Sequence, residues 1–172
     1  MSANKVYTVA FPWSGAVWFI TSLYFVFAVV LVALMVYTMA VGAVAAGVCG
    51  LVIVLPILLY IMLHCEAYAP QRLEISEECL TILRRRDSIT ILHSTILEIA
   101  PLTKQDMAWT ITMGGCGGLF GYFGSYKNRK LGSFRMYATS RENLFVIRTA
   151  DGRQIVINCA EPELLQKNGY SC

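Results

Sequence analysis

The sequence predicts a membrane hairpin of two α-helices followed by a mainly-β domain of antiparallel strands. Three observations favour this fold class. No Asp, Glu, Lys or Arg occurs from Val6 to Leu63. After Leu63 the apolar residues recur at every second position, which is the period of a strand. Turn signals separate the alternating runs. We therefore divide the chain into residues 1–66, an N-terminal segment with the hairpin, and residues 67–172, the β domain.

The uncharged run is long enough for two membrane crossings. The windows Ala16–Thr38 and Val41–Leu63 each contain thirteen Val, Leu, Ile or Phe residues. At 1.5 Å per residue, each window spans roughly 34 Å, slightly more than a hydrocarbon core of about 30 Å. Only Met39 and Ala40 separate the windows. A connection this short makes the helices antiparallel and places both ends of the hairpin on the same side of the membrane.

Charge predicts which side that is. Lys5 precedes the first window, and Arg72 is the first basic residue after the second window. The residues between the two windows have no charge. By the positive-inside rule, the N-terminus and the C-terminal domain both lie in the cytoplasm.

Small residues mark the start of the second helix. Gly42, Ala46 and Gly50 recur at a spacing of four, which places them on one helical stripe. Such a stripe lets another helix approach closely. We expect it to pack against the first helix, and the alternative is a contact between two copies of the chain. Neither window contains an ionisable acid or base, which argues against a transporter.

The β domain begins where the alternation begins. The alternating apolar positions are Leu73/Ile75, Leu80/Ile82, Ile89/Ile91, Met107/Trp109/Ile111/Met113, Phe134/Met136, Leu144/Val146 and Ile155/Ile157. Asp151-Gly152 is the strongest hairpin signal, because Asp-Gly suits a type I′ turn. About eight strand candidates predict an antiparallel sheet that closes on itself or folds into a sandwich. Glu161-Pro162-Glu163 predicts the start of a short C-terminal helix, which Asn168-Gly169 ends.

Three segments carry a resemblance to a known family. They are the glycine-aromatic segment 114–124 (GGCGGLFGYFG), the segment 131–139 (LGSFRMYAT), and the segment 155–159 (IVINC) followed by Glu161-Pro162-Glu163. In this order, after two apolar helices, they resemble the membrane-anchored bacterial proteins with a pleckstrin-homology-like (PH-like) domain. The resemblance covers roughly residues 67–168. It implies a bent barrel of about seven antiparallel strands with a C-terminal helix, in the bacterial inner membrane. It implies no enzymatic activity and transfers no ligand or ligand-binding residue.

Residue patterns for catalysis or metal binding are weak. His93 and Ser94 are adjacent, so in a strand they would point to opposite faces and could not act as a base and nucleophile pair. The six cysteines include no CxxC pair, and we expect free thiols. The glycine-aromatic segment has no Gly-Lys-Ser/Thr, so we expect a bent connection between strands and not a phosphate loop. We therefore predict no catalytic residue, no metal and no cofactor.

Two basic clusters are candidates for contact with anionic lipid. One is Arg84, Arg85 and Arg86, at a predicted hairpin tip, and the other contains Lys127, Arg129 and Lys130. Basic residues near an anionic membrane surface each contribute about 1 kcal/mol of attraction. The alternative is that both clusters are solvated turns. A net charge of +3 does not argue for nucleic acid as a partner.

These observations predict a non-catalytic interaction or scaffold module that two helices hold at the membrane. Its expected partners are the lipid bilayer and a membrane or cytoplasmic protein, or a second copy of the chain. The alternative function is a lipid-sensing module that reads anionic headgroups through its basic hairpin tips.

Overall fold

A computed structural model of the chain describes residues 6–163. Two long helices, α1 (Gly15–Ala40) and α2 (Val44–Tyr68), are joined by a three-residue connection. Helix α1 extends slightly beyond its predicted window at both ends, whereas α2 begins and ends later than its window. Ser14 caps the start of α1, its side chain accepting from the Val17 amide at 3.3 Å.

The two helices run antiparallel. The Tyr24 hydroxyl near the start of α1 donates to the Leu58 carbonyl late in α2, at 2.6 Å. At the other end of the hairpin, Gly47 of α2 packs against Met39 of α1. Both helices are long and apolar enough to cross a membrane by length and composition, with a mean hydropathy of 2.7, and only 6% of each apolar window is buried.

The strands form two sheets. The first sheet has the order β1-β2-β3-β4 and is antiparallel throughout. Its strands are β1 (Tyr7–Ala10), β2 (Pro70–Ile75), β3 (Cys79–Arg84) and β4 (Ser88–Leu92). A single turn of 3₁₀-helix, His93–Thr95, leads to the second sheet.

The second sheet has six strands in the order β5-β9-β10-β8-β7-β6. They are β5 (Ile96–Leu102), β6 (Ile111–Gly117), β7 (Tyr122–Asn128), β8 (Gly132–Ala138), β9 (Leu144–Thr149) and β10 (Gln154–Asn158). Every neighbouring pair is antiparallel except β8 and β10, which are parallel.

The mainly-β class is confirmed, but its finer description needs correction. The described strands form two open-ended sheets, where we expected one barrel of about seven antiparallel strands. Strand β10 lies between β8 and β9 in the sheet. The connection from β8 to β9 skips that position, and β10 then fills it, antiparallel to β9 and parallel to β8. Pro162 and Glu163 have helical backbone, as predicted, and the remainder of the predicted C-terminal helix lies outside the described residues.

Strand β1 was not predicted, because its four residues precede the apolar run and offer no long alternation. It pairs with β2, from Tyr7 opposite Ile75 to Ala10 opposite Arg72. Since β1 precedes α1 and β2 follows α2, this pairing joins the two ends of the hairpin.

Two further predictions were wrong in detail. The alternation from Met107 to Met113 predicts a strand, yet β6 begins only at Ile111. Thr103 and Asp106 exchange backbone and side-chain hydrogen bonds, which favours a turn at this point. We also expected strands with one wet face, but the central strands β9 and β10 have four consecutive buried residues each. Sheets covered on both faces produce such runs.

Buried residues fill the space on both sides of the six-stranded sheet. One cluster joins this sheet to the first sheet and includes Leu73 and Ile82 on one side and Ile147 and Ile157 on the other. The second cluster lies on the opposite face, and Val17 of α1 belongs to it. The base of the hairpin is therefore part of the packed core.

Candidate functional site at the base of the hairpin

The β6–β7 turn, Gly118–Gly121, lies against the base of the helical hairpin. The Phe120 amide donates to the hydroxyl of Thr21 in α1 at 3.2 Å. Gly118 has a φ of +130°, and a Cβ there would lie 2.5 Å from the Cδ1 of Ile20. The positive φ favours glycine at this point, and a Cβ would also displace the end of the Ile20 side chain. The turn packs between elements and is not exposed.

Close backbone approach explains other glycines of the same hairpin. Gly115 of β6 faces Gly124 of β7 in register, and both have positive φ. A Cβ on Gly115 would lie 2.1 Å from the Phe123 carbonyl oxygen. The prediction of a bent connection holds for residues 118–121, whereas the flanking glycines lie within strands.

Two cysteines meet where α2 ends. The thiol of Cys65 donates to the Sγ of Cys116 on β6 at 3.4 Å, and both side chains are buried. The hydrogen bond from Cys65 lowers the pKa of Cys116, and backbone N–H groups around Leu119 act in the same direction against the effect of burial. This pairing was not predictable, since 51 residues separate the two positions.

The arginine turn, which we define as Arg84, Arg85 and Arg86, packs against the last turn of α2. The Arg86 amide donates to the Ala67 carbonyl at 3.2 Å. Arg85 forms an ion pair with Glu66. The predicted hairpin tip is thus real, and it lies at the base of the helical hairpin.

Arg84 is the most enclosed member of the arginine turn. Its side chain is 12% exposed and its guanidinium bonds the Asp87 carboxylate at 2.6 Å. The guanidinium carbon lies 5.4 Å from the ring centre of Tyr68 and 5.3 Å from that of Tyr137, both within the range of a cation–π contact. Its Nε is buried and has no hydrogen-bond partner among the described residues.

A cavity of about 340 Å³ opens beside Arg84. Its walls come from the end of α2, the end of β3, and the neighbouring strands β6, β7 and β8. The polar and aromatic groups in its lining include Arg84, Arg135, His64, Tyr68, Ser125 and Tyr137, and the Cys65–Cys116 pair also lines it. We call this space the junction cavity.

The architecture agrees with a comparison of the sequence with family models. A model described as bacterial PH domain matches residues 71–168, which is more than half of the chain. The chain belongs to the bacterial PH domain family. This confirms the resemblance drawn from the glycine-aromatic and neighbouring segments. Comparisons with curated proteins and with solved structures give no match.

The matched region begins within β2, so it leaves β1 and both helices outside. Strand β1 nevertheless completes the first sheet of the PH domain. The predicted boundary between residues 1–66 and 67–172 remains a prediction, and the pairing of β1 shows that residues from both parts share one sheet.

The second basic cluster lies at the other end of the PH domain's six-stranded sheet. We define it as the distal basic turn: Lys127, Arg129 and Lys130. Strand β7 runs seven residues from Tyr122 beside the hairpin to Asn128, and at about 3.3 Å per residue this is roughly 20 Å.

One charge of the distal basic turn is used internally. Lys130 forms an ion pair with Asp106. The hydrogen bond from Lys130, with a smaller contribution from the Thr103 amide, lowers the pKa of Asp106 to about 2.

The predicted packing stripe is only partly used within the described chain. Gly42 lies in the connection between the helices with open space around it, and Ala46 is exposed. A Cβ on Gly50 would lie 3.4 Å from Met35 of α1, an ordinary contact. The closest approach is at Gly47, where a Cβ would lie 2.4 Å from Met39. The contact with α1 therefore runs through Gly47 and Gly50.

The remaining chemical candidates stay apart. His93 and Ser94 lie in the 3₁₀ turn and not in a strand, as we had assumed. Burial lowers the pKa of His93. Within residues 6–163, no group of three His, Cys, Asp or Glu side chains is placed to hold a metal ion.

Proposed function

We propose that this chain is an integral membrane protein whose PH domain serves as a non-catalytic interaction module at the cytoplasmic face of a bacterial inner membrane. The observation that carries the proposal is the family match joined to two uncovered apolar helices. Helices of 26 and 25 residues with this hydropathy suit a hydrocarbon core. In water, their exposed apolar side chains would form a patch far larger than soluble monomers tolerate.

The β1–β2 pairing supports the topology. It requires the start of α1 and the end of α2 to lie on the same side of the bilayer. With Lys5 and the basic residues of the PH domain on that side, the positive-inside rule makes it the cytoplasmic side. The connection Val41–Ala43 then faces the opposite side.

Membrane extraction tests this part of the proposal. After washing membranes with alkaline carbonate, the full chain should stay in the pellet and dissolve only in detergent. A C-terminal reporter that works only in the cytoplasm should be active. A cysteine introduced at Val41 (V41C) should react with an impermeant maleimide added from outside. Release of the intact chain by carbonate would contradict the proposal.

Partner binding fits the exposed edge of the six-stranded sheet. Among the described strands β6 pairs only with β7, so its other side offers backbone groups that no described strand pairs with. Trp109, Ile111 and Met113 at this edge are 84%, 65% and 67% exposed. Exposed apolar residues on an edge strand are typical of a surface to which another chain adds a strand.

Crosslinking tests the role as an interaction module. A photoreactive residue in place of Ile111, in native membranes, should yield a discrete adduct, and the same residue in place of Glu74 on β2 should not. Ile111→Lys should abolish an adduct formed through a neighbouring photoreactive position. A purified chain that turned over a substrate, with loss on changing one polar residue, would contradict the non-catalytic assignment.

A second function, the reading of anionic lipid headgroups, is favoured by the place of the arginine turn. This turn packs on the last residues of α2, where a spanning helix would leave the hydrocarbon core. Charges at that depth attract anionic lipid most strongly.

A further inference from the structure

We propose that the junction cavity binds a phosphate group, held between Arg84 and Arg135. The proposal deepens the second function, the reading of anionic lipid headgroups. It rests on that function only for the claim that the phosphate belongs to a lipid. Its basis is the enclosed arginine with an unpaired donor, a second arginine that lines the same cavity, and the space of about 340 Å³ beside them.

Arg84 is held in place before any ligand arrives. Asp87 fixes one edge of its guanidinium, and the rings of Tyr68 and Tyr137 lie against it. The Nε–H lacks a partner within the described part of the chain. A buried donor without a partner is unfavourable, and an anion in the cavity would satisfy it.

Arg135 supplies the second positive charge. It lies on β8 two residues before Tyr137, so both side chains point to the same face of the sheet. Arg135 is exposed and lines the same cavity as Arg84. No ion pair of Arg135 is found among the described residues, so its charge is available to a ligand.

The surrounding charges favour an anion. The two nearest carboxylates, Glu66 and Asp87, are each already paired with an arginine. Three glycines of β6 and β7, Gly114, Gly115 and Gly124, also line the cavity and add no side chain to it. Two guanidinium groups that line one cavity suit a tetrahedral phosphate, since a planar guanidinium can donate two parallel N–H bonds.

The position of the cavity allows two sources of phosphate, a lipid and a soluble compound. His64 and Tyr68 in its lining belong to the last two turns of α2. In a spanning hairpin these turns lie at headgroup depth, so a lipid phosphate can enter from the bilayer. Free phosphate or a soluble phosphate ester could occupy the same pair of arginines from the cytoplasm.

The test uses the full chain, purified in dodecyl maltoside without phosphate. Three probes are titrated: dihexanoyl phosphatidic acid, dihexanoylglycerol, which lacks the phosphate, and inorganic phosphate. Binding is followed by calorimetry and, for the phosphorus compounds, by ³¹P line broadening. Arg135→Gln is the main variant, because its side chain is exposed and its loss should leave the fold intact. Arg148→Gln on β9 is the matched control, since it removes one exposed arginine elsewhere.

We expect phosphatidic acid to bind and dihexanoylglycerol not to bind. Arg135→Gln should weaken binding by about tenfold or more, and Arg135→Lys by less, because it keeps the charge and loses the fork. Arg148→Gln should stay within about twofold of the unchanged chain. Arg84→Gln should abolish binding if near-ultraviolet circular dichroism shows that it still folds.

Inorganic phosphate separates the sources. If it leaves the lipid isotherm unchanged, the site takes a lipid phosphate; if it competes fully, the site takes a soluble phosphate. Either result upholds the phosphate site. Equal binding of phosphatidic acid and dihexanoylglycerol, no binding of either phosphorus compound, or equal affinity for Arg135→Gln and Arg148→Gln would overturn it. These outcomes do not depend on a bilayer, so they are distinct from failure of the carbonate extraction.

Discussion

The arginine turn and the distal basic turn have the same number of basic residues but different surroundings. Each has three basic residues at the tip of a β-hairpin. The arginine turn packs on the end of α2, where one arginine pairs with Glu66 and another lies between two tyrosine rings. The distal basic turn lies at the Asn128 end of β7, beyond Ser125, which lines the cavity beside Arg84.

This difference shows that what a basic cluster can contact depends on the element it packs against. The arginine turn packs on the end of α2, where a spanning helix would meet the headgroups. The distal basic turn is free to serve as part of the exposed surface around β6.

The largest expected effect is on the free energy of unfolding, and it compares one glycine near each turn. Gly115→Ala should destabilise the protein by more than about 3 kcal/mol, because its Cβ would lie 2.1 Å from a backbone oxygen and its φ is positive. Gly132→Ala, beside the distal basic turn, should cost only about 1 kcal/mol, since its φ is positive but the space is open. Thermal unfolding in detergent measures both, and equal losses would show that the base of the hairpin is loosely packed.

Charge removal compares the turns directly. Changing Arg84, Arg85 and Arg86 together to Gln should reduce retention of phosphatidylglycerol over phosphatidylcholine by about tenfold in mixed micelles, because in a spanning hairpin these groups would lie at headgroup depth. The same change at Lys127, Arg129 and Lys130 should leave retention within about twofold, because this turn follows the end of β7 farther from the hairpin. Native mass spectrometry of the released protein gives the lipid ratio. A greater loss from the second triple variant would reverse the assignment.

The buried hydroxyl of Tyr126 provides a test on β7, the strand that leads to the distal basic turn. This hydroxyl donates to the Cys116 carbonyl at 2.5 Å, and burial raises its pKa to about 12. Tyr126→Phe should destabilise the chain by about 1–2 kcal/mol, because the carbonyl loses its partner. Tyr60→Phe, at an exposed position on α2, is the control and should change the melting temperature little.

The smallest effect concerns the ion pair of the distal basic turn. The folded pKa of Asp106, about 2, lies below its ordinary value of 3.8. A lowered carboxyl pKa adds stability above the ordinary value, and that stability is lost as the pH falls from about 5 toward 2. Asp106→Asn should flatten this part of the melting-temperature profile. An unchanged profile in Asp106→Asn would show that the pair contributes nothing measurable.

Much of the fold could be predicted because each signal was local. Two helices follow from an uncharged run, and the hairpin at Asp151-Gly152 follows from adjacent residues. Strand β1 could not be predicted, since its partner lies more than 60 residues away and its own four residues carry no periodic signal. The parallel pairing of β8 with β10 likewise depends on contacts between distant segments.

The candidate site was predicted in part. The arginine turn was identified from composition, but Arg135 has no basic neighbour and gave no signal. Its alternation with Tyr137 on β8 was the one available clue, and the facing position of Arg84 comes from the packing of α2 and β3 against the second sheet. Tertiary contacts of this kind are not encoded in any short window.

The pairing of β1 with β2 constrains the order of events during synthesis. The ribosome delivers β1 first, yet the segment that completes its ladder emerges only after both helices have been made. If the hairpin spans a membrane as proposed, the N-terminal segment must stay on the side where β2 emerges until both helices have been made. Translocation of those first residues across the bilayer would then separate them from β2, so correct insertion of the hairpin would be a precondition for closing the first sheet.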